Sequence, residues 1–252
     1  MDHLKGVQDY WDQRSEGFSD AISEEIDSHF GEEWTERFKK TLGEEPLDVL
    51  DDGAGPGFFS MILAKLGHRV TAIDYSDGML EQLKKNFEAR SLKAAAVHQM
   101  DAQALTFADE SFDAVVQRNV LWNLDHPEKA YDEIARVLRP GGIFILSDGN
   151  HYLSAHDEEY AAEREKARAL WEAKKKEQKA QPGDHGAHNV GNVDFSIIEK
   201  IAVEQPLSYT RRPQWDLEQL IRNGFFDIEV KIHGRELPQG FVIIAKKKKK
   251  ES

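Results

Sequence analysis

The feature that most constrains the fold is a glycine-rich turn between an apolar run and a helical segment. Residues 47–51 form a short apolar run that ends in the sequence DDGAGPG at residues 51–57, and helical periodicity resumes over residues 58–66. Glycines let a backbone turn tightly and approach a ligand without an intervening Cβ. The start of the next helix offers amide donors and the positive end of its dipole. We therefore predict a strand, a ligand-binding turn and a helix in succession.

Short apolar runs continue to alternate with helical segments up to about residue 148. Strands that alternate with helices predict βαβ units, and hence a parallel sheet with helices on both faces. Near the end of the chain, two runs joined by a short connection predict an antiparallel hairpin at the edge of the sheet. The further predicted strands lie at residues 69–74, 94–100, 112–117, 143–147, 226–232 and 240–245.

A length of 252 residues suits a single α/β domain with a substantial core. The first 45 residues are polar and helical, and the irregular spacing of their aromatic residues predicts several short helices. After residue 148 the alternation breaks into a long charged helix and a segment rich in glycine and histidine. The predicted parts are an N-terminal lid at 1–45, a cofactor-binding half at 46–150, an insertion or cap over the substrate site at 151–213, a C-terminal helix and strands at 214–246, and a basic tail at 247–252.

The charge balance is acidic, because 33 Lys and Arg against 46 Asp and Glu give a net charge of −13. Such a chain repels phosphate backbones, so we expect no nucleic-acid partner. No uncharged apolar run approaches the roughly 20 residues that span a bilayer. The opening sequence MDHLKGVQDYWDQR lacks the apolar core of a signal peptide. We therefore expect a cytoplasmic protein with no membrane partner, either a monomer or a homodimer.

Two details separate the glycine turn from a dinucleotide-binding loop. Its spacing is G-x-G-x-G, and Asp51 ends the strand two positions before the first glycine. These residues resemble the first motif of the class I S-adenosylmethionine-dependent methyltransferases. The sequence EIARVLRPGG at residues 133–142 resembles a second, more specific signature of that family. The resemblance covers about residues 46–148 and favours the methyltransferase type 11 branch, which includes enzymes of ubiquinone and menaquinone biosynthesis.

The resemblance implies a Rossmann-like, doubly wound and mostly parallel seven-stranded sheet, with S-adenosyl-L-methionine as the cofactor. It assigns Asp51 to the amino end of the methionine moiety, Asp74 to the ribose hydroxyls and Asp101 to the adenine amino group. A pyrophosphate would be repelled by Asp51 and its neighbour, whereas a sulfonium and an ammonium would be attracted. The implied cofactor-binding residues are Asp51, Gly53, Ala54, Gly55, Gly57, Asp74, Tyr75, Met79, Asp101, Ala102, Arg118 and Asn119.

The chain departs from the family pattern at three positions. Asp52 replaces a usually apolar residue, Pro56 a common threonine and Asn123 a common histidine. The change at Asn123 weakens any analogy with the substrate chemistry of the family.

The methyl acceptor is expected beyond the C-terminal ends of the strands, where open parallel sheets bind ligands. The chain has no cysteine, which excludes acceptors that require a thiolate. A small molecule is therefore favoured. The aromatic candidates for contact with it are alternatively anchors of an N-terminal helix, and the arginine pair alternatively forms salt bridges. The candidate substrate residues are Tyr10, Trp11, Arg14, Trp122, Arg211 and Arg212.

The candidate catalytic residues are His151, His188 and Asn123, since a histidine can act as a general base near neutral pH. Asp184, His185 and His188 alternatively belong to a flexible polar loop or to a metal site, and we predict no bound metal. Two other functions stay open. One is a catalytically silent S-adenosylmethionine-binding module, and the other is an NAD-type dehydrogenase, which also uses a glycine loop.

Overall fold

The computed structural model describes residues 3–177, 195–234 and 236–249. Its centre is a seven-stranded sheet in the order β3-β2-β1-β4-β5-β7-β6, which confirms the predicted fold. Neighbouring strands are parallel except β7, which is antiparallel to both β5 and β6. The strands are β1 Asp48–Asp52, β2 Arg69–Asp74, β3 Ala96–Gln99, β4 Phe112–Arg118, β5 Leu138–Gly149, β6 Phe225–His233 and β7 Gly240–Lys247.

Helices cover both faces of the sheet. No helix among the described residues combines the length and the apolar character that crossing a membrane requires. The helices are α1 His3–Ile26, α2 His29–Leu42, α3 Phe58–Lys65, α4 Asp77–Ala89, α5 Pro127–Val137, α6 Glu158–Glu177, α7 Phe195–Val203 and α8 Gln214–Arg222, with short 3₁₀ turns at Leu121–Asn123, Leu153–Ala155 and Pro206–Ser208.

The residues of the central strands alternate between two apolar clusters, one on each face. Val49 packs with the aromatic residues of α2 and α3, whereas Leu50 faces the cluster that contains α5 and α8. In β4, Val115 faces the cluster that contains α5 and α8, and Val116 faces the cluster of α2 and α3. This two-residue period with apolar side chains on both faces is what a buried parallel strand requires.

The N-terminal region differs from the prediction of several short helices, because α1 is continuous over 24 residues. Its inner face is partly polar where it lies against α4. Ser19 accepts a hydrogen bond from Asn86 Nδ2 at 2.9 Å. A Cβ at Gly78 would lie only 3.1 Å from the Cα of Asp12, so the glycine permits this close approach. Small polar residues therefore form the side of α1 that faces α4, whereas Leu4, Val7, Trp11, Phe18 and Ile22 follow a helical spacing on its other side.

A fully buried ion cluster joins the end of β5 to α8. Arg212 Nη1 lies 2.9 Å from Asp148 Oδ2, and its Nη2 lies 2.6 Å from Asp216 Oδ1. The Tyr131 hydroxyl donates to Asp216 at 2.7 Å. Arg212 is fully buried, as is the Asp216 carboxylate. Removing one member of such a cluster leaves an uncompensated charge in the interior.

We predict that Arg212→Met destabilises the protein by about 3–5 kcal/mol, because it leaves two buried carboxylates without a counter-charge. Arg211→Met is the matched control. Its side chain is 48% exposed and pairs with Asp157 and Glu159, so its loss is expected to cost about 1 kcal/mol or less. Urea unfolding measures both. Equal losses for the two variants would contradict this role of the cluster.

Candidate cofactor and acceptor site

A cavity of about 230 Å³ lies at the C-terminal ends of β1, β2 and β4, beneath α1. It brings together the predicted cofactor residues, with the exception of Gly57. That glycine instead precedes α3 with a φ of 100°. The predicted residues that line the cavity are Asp51, Gly53, Ala54, Gly55, Asp74, Tyr75, Met79, Asp101, Ala102, Arg118 and Asn119.

The glycines of the turn have different physical roles. Gly53 has a φ of +74°, and a Cβ there would lie 2.3 Å from Val120 Cγ2, so this glycine permits close packing within the protein. Gly55 has a φ of +53°, and its Cβ would meet only Phe18 Cε1, at 3.9 Å. Gly55 therefore faces the cavity itself. Its backbone N–H donates to Asp74 Oδ2 at 2.8 Å, which holds the turn against the end of β2.

Three carboxylates surround the floor of the cavity. Burial raises the pKa of Asp51 to about 7, although Ser60 Oγ donates to it at 2.5 Å. Burial likewise raises the pKa of Asp52 to about 7 and that of Asp74 to about 6. Gln117 Nε2 donates to Asp52 Oδ2 at 2.6 Å, while Asp52 Oδ1 is buried without a hydrogen-bond partner among the described residues. A cation in the cavity would relieve the burial of these charges.

Arg118 brings a positive charge to the cavity, but that charge is already compensated. Its Nη2 lies 2.7 and 2.8 Å from the two carboxylate oxygens of Glu25 on α1. The guanidinium also lies 4.2 Å from the centre of the Phe58 ring. The ion pair therefore ties the end of α1 to the end of β4. Nothing in the sequence indicated Glu25, because the pair joins residues 93 positions apart.

Helix α1 forms the roof of the cavity. Trp11 Nε1 donates to Asn123 Oδ1 at 3.1 Å, and the Trp11 and Trp122 rings lie 6.2 Å apart. All three of these candidate residues line the cavity. Tyr10 and Arg14 do not line it. Tyr10 is buried and hydrogen-bonded to Arg14, which fits the alternative of a helix anchor.

His151 lies at the edge of the cavity, beside an aspartate that no sequence pattern indicated. His151 Nε2 is 3.1 Å from Asp148 Oδ1, and its ring lies 5.3 Å from that of Trp122. Burial opposes ionisation of Asp148, but the charges and hydrogen bonds of Arg212 and His151 together outweigh this effect and lower the pKa of that carboxyl. An ionised aspartate therefore orients the imidazole and leaves Nδ1 for another contact.

The arginine pair does not reach the cavity, which corrects its assignment as a substrate contact. Arg211 and Arg212 are neutralised by neighbouring carboxylates, as the salt-bridge alternative expects. From the described part of residues 151–213, only His151 lines the cavity, and α7 packs against α1 instead. His188, with the Asp184 and His185 loop, lies outside the described residues. Across residues 3–177, 195–234 and 236–249, no group of His, Asp and Glu is arranged to hold a metal.

Comparison with known proteins identifies the central part of the chain. Residues 50–146 match the family described as "Methyltransferase domain". The demethylmenaquinone methyltransferase of Clavibacter sepedonicus is 42% identical over 100 residues, which are 40% of each chain. The phosphatidylethanolamine N-methyltransferase of Cereibacter sphaeroides is 38% identical over 127 residues, 49% of this chain and 59% of the relative. The chain thus matches about half the length of these curated relatives.

Solved structures share the fold at low sequence identity. The PH0226 protein from Pyrococcus horikoshii OT3 has a TM-score of 0.56 at 19% identity, with 89% of this chain and 94% of that chain covered. The [4+2]-cyclase SpnF has a TM-score of 0.56 at 18% identity, with coverage of 86% and 81%. Because a fold of this kind supports more than one chemistry, these likenesses establish architecture alone.

We predict that Gly55→Val abolishes binding of S-adenosylhomocysteine in calorimetry, because the new side chain occupies the cavity. Gly67→Val is the matched control. Gly67 also has a positive φ and no atom within 4 Å of the position that a Cβ would take, but it does not line the cavity. Both variants place a β-branched residue at a positive φ, but only Gly55→Val adds a side chain to the cavity. Undiminished affinity in folded Gly55→Val would contradict the placement of the ligand.

We predict that Asp52→Asn raises the melting temperature at pH 8 more than at pH 5.5. The folded-state pKa of Asp52, about 7, exceeds its ordinary value of 3.8, so folding favours the protonated form. This group's contribution to stability is complete below pH 3.8 and is lost as the pH rises through 7. Asn cannot ionise, so the variant avoids the loss of stability at high pH, and its side-chain oxygen still accepts a hydrogen bond from Gln117. Scanning calorimetry, with exposed Asp20→Asn as control, tests the prediction; the same gain at both pH values would refute it.

Proposed function

We propose that the chain is a class I S-adenosylmethionine-dependent methyltransferase and that it methylates a small molecule. The observation that carries the proposal is the convergence of Asp51, Asp52 and Asp74 on one cavity beside a glycine turn. Buried carboxylates disfavour a pyrophosphate and favour a ligand with positive groups. The net charge of −13 supports a small-molecule acceptor over a nucleic acid. The cytoplasmic location and the monomeric or homodimeric state stay predictions.

The residues around the cavity fit S-adenosylmethionine. Asp74 would accept from the ribose hydroxyls, and Asp101 with the backbone of Ala102 would contact the adenine. Asp51 and the glycine turn would hold the methionine moiety. When bound, this cofactor supplies a methyl group already activated by a positively charged sulfonium. The remaining task of the protein is to align an acceptor, to exclude water and, where the acceptor is acidic, to remove a proton.

Helix α1 would exclude water from the transfer. Its side chains Leu4, Val7 and Trp11 line the cavity from above. Asp12 on the same helix accepts from Ser76 Oγ at 2.5 Å and from the N–H of Gly78 at 3.0 Å, so the roof is anchored to α4. A closed apolar roof strengthens the electrostatic attraction between the carboxylates and a cationic ligand.

His151 is the best-placed general base. Its Nε2 is bonded to Asp148, so Nδ1 would accept the proton from the acceptor. Arg212 and His151 together lower the pKa of Asp148, so this carboxylate stabilises the imidazolium without taking the proton itself. Asp148 thus positions His151 and stabilises its protonated form, and Arg212 acts indirectly, by holding Asp148 in place.

Calorimetry with three ligands tests the proposed function. We expect S-adenosylmethionine and S-adenosylhomocysteine each to bind at one site per chain, and NAD⁺ not to bind. A dehydrogenase would give the opposite pattern. Binding of NAD⁺ without binding of either sulfur nucleoside would therefore overturn the proposal. Production of S-adenosylhomocysteine with a panel of small acids, phenols and amines then separates an enzyme from a catalytically silent binding module.

For an acceptor found in this way, we predict that His151→Gln lowers kcat by about 10²–10⁴-fold. The affinity for S-adenosylhomocysteine is expected to stay within about twofold, because the change removes a base and not a cofactor contact. His156→Gln is the matched control, since His156 is exposed and bonds the backbone oxygen of Val203 outside the cavity. A kcat unaffected by His151→Gln would exclude the proposed base.

A further inference from the structure

A second cavity, of about 280 Å³, adjoins the first. It lies between α2 and the ends of β5, β6 and β7. The two cavities share Arg118, Asn119 and His151, so the proposed base faces both. The first cavity alone is smaller than the roughly 300–1,000 Å³ of most small-molecule sites. The second cavity offers additional space for an acceptor beside a cofactor, and it reaches the same histidine.

The second cavity has a basic lining in an otherwise acidic protein. Arg37 and Lys231 line it, and within the described ranges neither has an ion-pair or hydrogen-bond partner. The Arg37 guanidinium lies 5.1 Å from the centre of the Trp34 ring, which leaves its charge available to a ligand. His233 adds a third basic side chain to the lining. In a chain with a net charge of −13, Arg37 and Lys231 therefore place two positive charges in one cavity.

The acidic side chains of the same lining do not cancel this charge. Asp148 is buried and paired with Arg212, which also pairs with Asp216, and the side chain of Glu33 is 60% exposed to solvent. Arg118 is balanced by Glu25 and so contributes no net charge. Among the described residues of the lining, Arg37 and Lys231 are therefore the two available cations, and the exposed carboxylate of Glu33 is the one available anion.

Apolar side chains complete the second cavity. Phe30 and Trp34 from α2 lie on one side, and Phe241 and Val242 from β7 lie on the other. The ring centres of Phe30 and Trp34 are 6.3 Å apart in an edge-to-face arrangement. Aromatic walls with a few charged groups suit a ligand that has a flat apolar body and a charged end.

We propose that the second cavity is the acceptor subsite and that the acceptor is an amphipathic anion. Its acidic group contacts Arg37 and Lys231, its apolar body packs against the exposed ring of Phe30, and its reactive end lies at His151. This inference rests on the proposed function, because it names the substrate class of the same site. Arg118, Arg211 and Arg212 each pair with a carboxylate of the protein, whereas Arg37 has no such partner among the described residues and can pair with the acceptor.

Two fluorescent probes with the same ring system test the charge preference. 8-Anilinonaphthalene-1-sulfonate carries a sulfonate, and N-phenyl-1-naphthylamine is its neutral counterpart. Saturating S-adenosylhomocysteine occupies the first cavity during both titrations. The test variant is Arg37→Gln with Lys231→Gln. The matched control is Arg222→Gln with Lys84→Gln, two exposed residues that line neither cavity.

The wild-type protein is expected to bind the anionic probe at least about tenfold more tightly than the neutral one. The Arg37 and Lys231 double variant is expected to lose at least about tenfold in affinity for the anion, with the neutral probe and S-adenosylhomocysteine unaffected. The control variant is expected to match wild type. Equal binding of the two probes to wild type, or unchanged anion binding by the double variant, would overturn the inference.

Two further measurements keep the inference separate from folding and from the proposed function. If circular dichroism shows that the double variant does not fold, the salt dependence of probe binding to wild type tests the inference instead. Only the binding of the anionic probe is expected to weaken as the NaCl concentration rises. If S-adenosylhomocysteine does not bind, the proposed function fails. The probe titrations on the unliganded protein then still show whether Arg37 and Lys231 form an anion site.

Discussion

The site depends on the burial of three carboxylates at the ends of two adjacent strands. Parallel pairing aligns Asp51 with Ala72 and Asp52 with Ile73, which places Asp74 one residue further along β2. The carbonyl of Ile73 accepts from the N–H groups of both Gly53 and Ala54, at 2.9 and 2.8 Å. The glycine turn is therefore bonded to the strand that carries Asp74, and all three carboxylates are held at one edge of the sheet. Their raised pKa values reflect the cost of this burial without a cation.

The other parts of the site are arranged around that edge of the sheet. Helix α1 covers it and is bonded at two places, through Asp12 to the start of α4 and through Glu25 to Arg118. On the opposite side, Asp148 at the end of β5 orients His151 toward the shared wall of the two cavities. Arg212 and His151 together lower the pKa of Asp148, whereas burial raises the pKa values of the carboxylates of the floor. Acids of one type thus differ in charge state because their neighbours differ.

The sequence predicts well what depends on residues close together in the chain. The glycine turn, Asp74 and Asp101 follow strand ends, and the C-terminal ends of parallel strands meet at one edge, so their convergence could be inferred. The continuity of α1 was not predicted, although Leu4, Val7, Trp11, Phe18 and Ile22 follow a helical spacing, because the aromatic residues taken alone are irregularly spaced and the side toward α4 is polar.

Contacts between distant residues were also beyond the sequence. Glu25 meets Arg118 across 93 positions, and no periodicity encodes such a pairing. Arg211 and Arg212 are adjacent, yet one is exposed and the other fully buried, because the sheet topology brings Asp148 and Asp216 to Arg212 alone. The basic lining of the second cavity has the same origin, since Arg37 and Lys231 belong to elements far apart in the chain.

The central claim is that ionised carboxylates in the cavity select a positively charged ligand. The most direct test is the ratio of the affinities for S-adenosylmethionine, which carries a sulfonium, and S-adenosylhomocysteine, which has a neutral sulfur, as a function of pH. Asp51 and Asp52 have pKa values of about 7 and Asp74 of about 6, so lowering the pH protonates them and removes the attraction. We expect the ratio to fall by about tenfold or more between pH 8 and pH 5.5. A ratio that does not change over this range would contradict the claim.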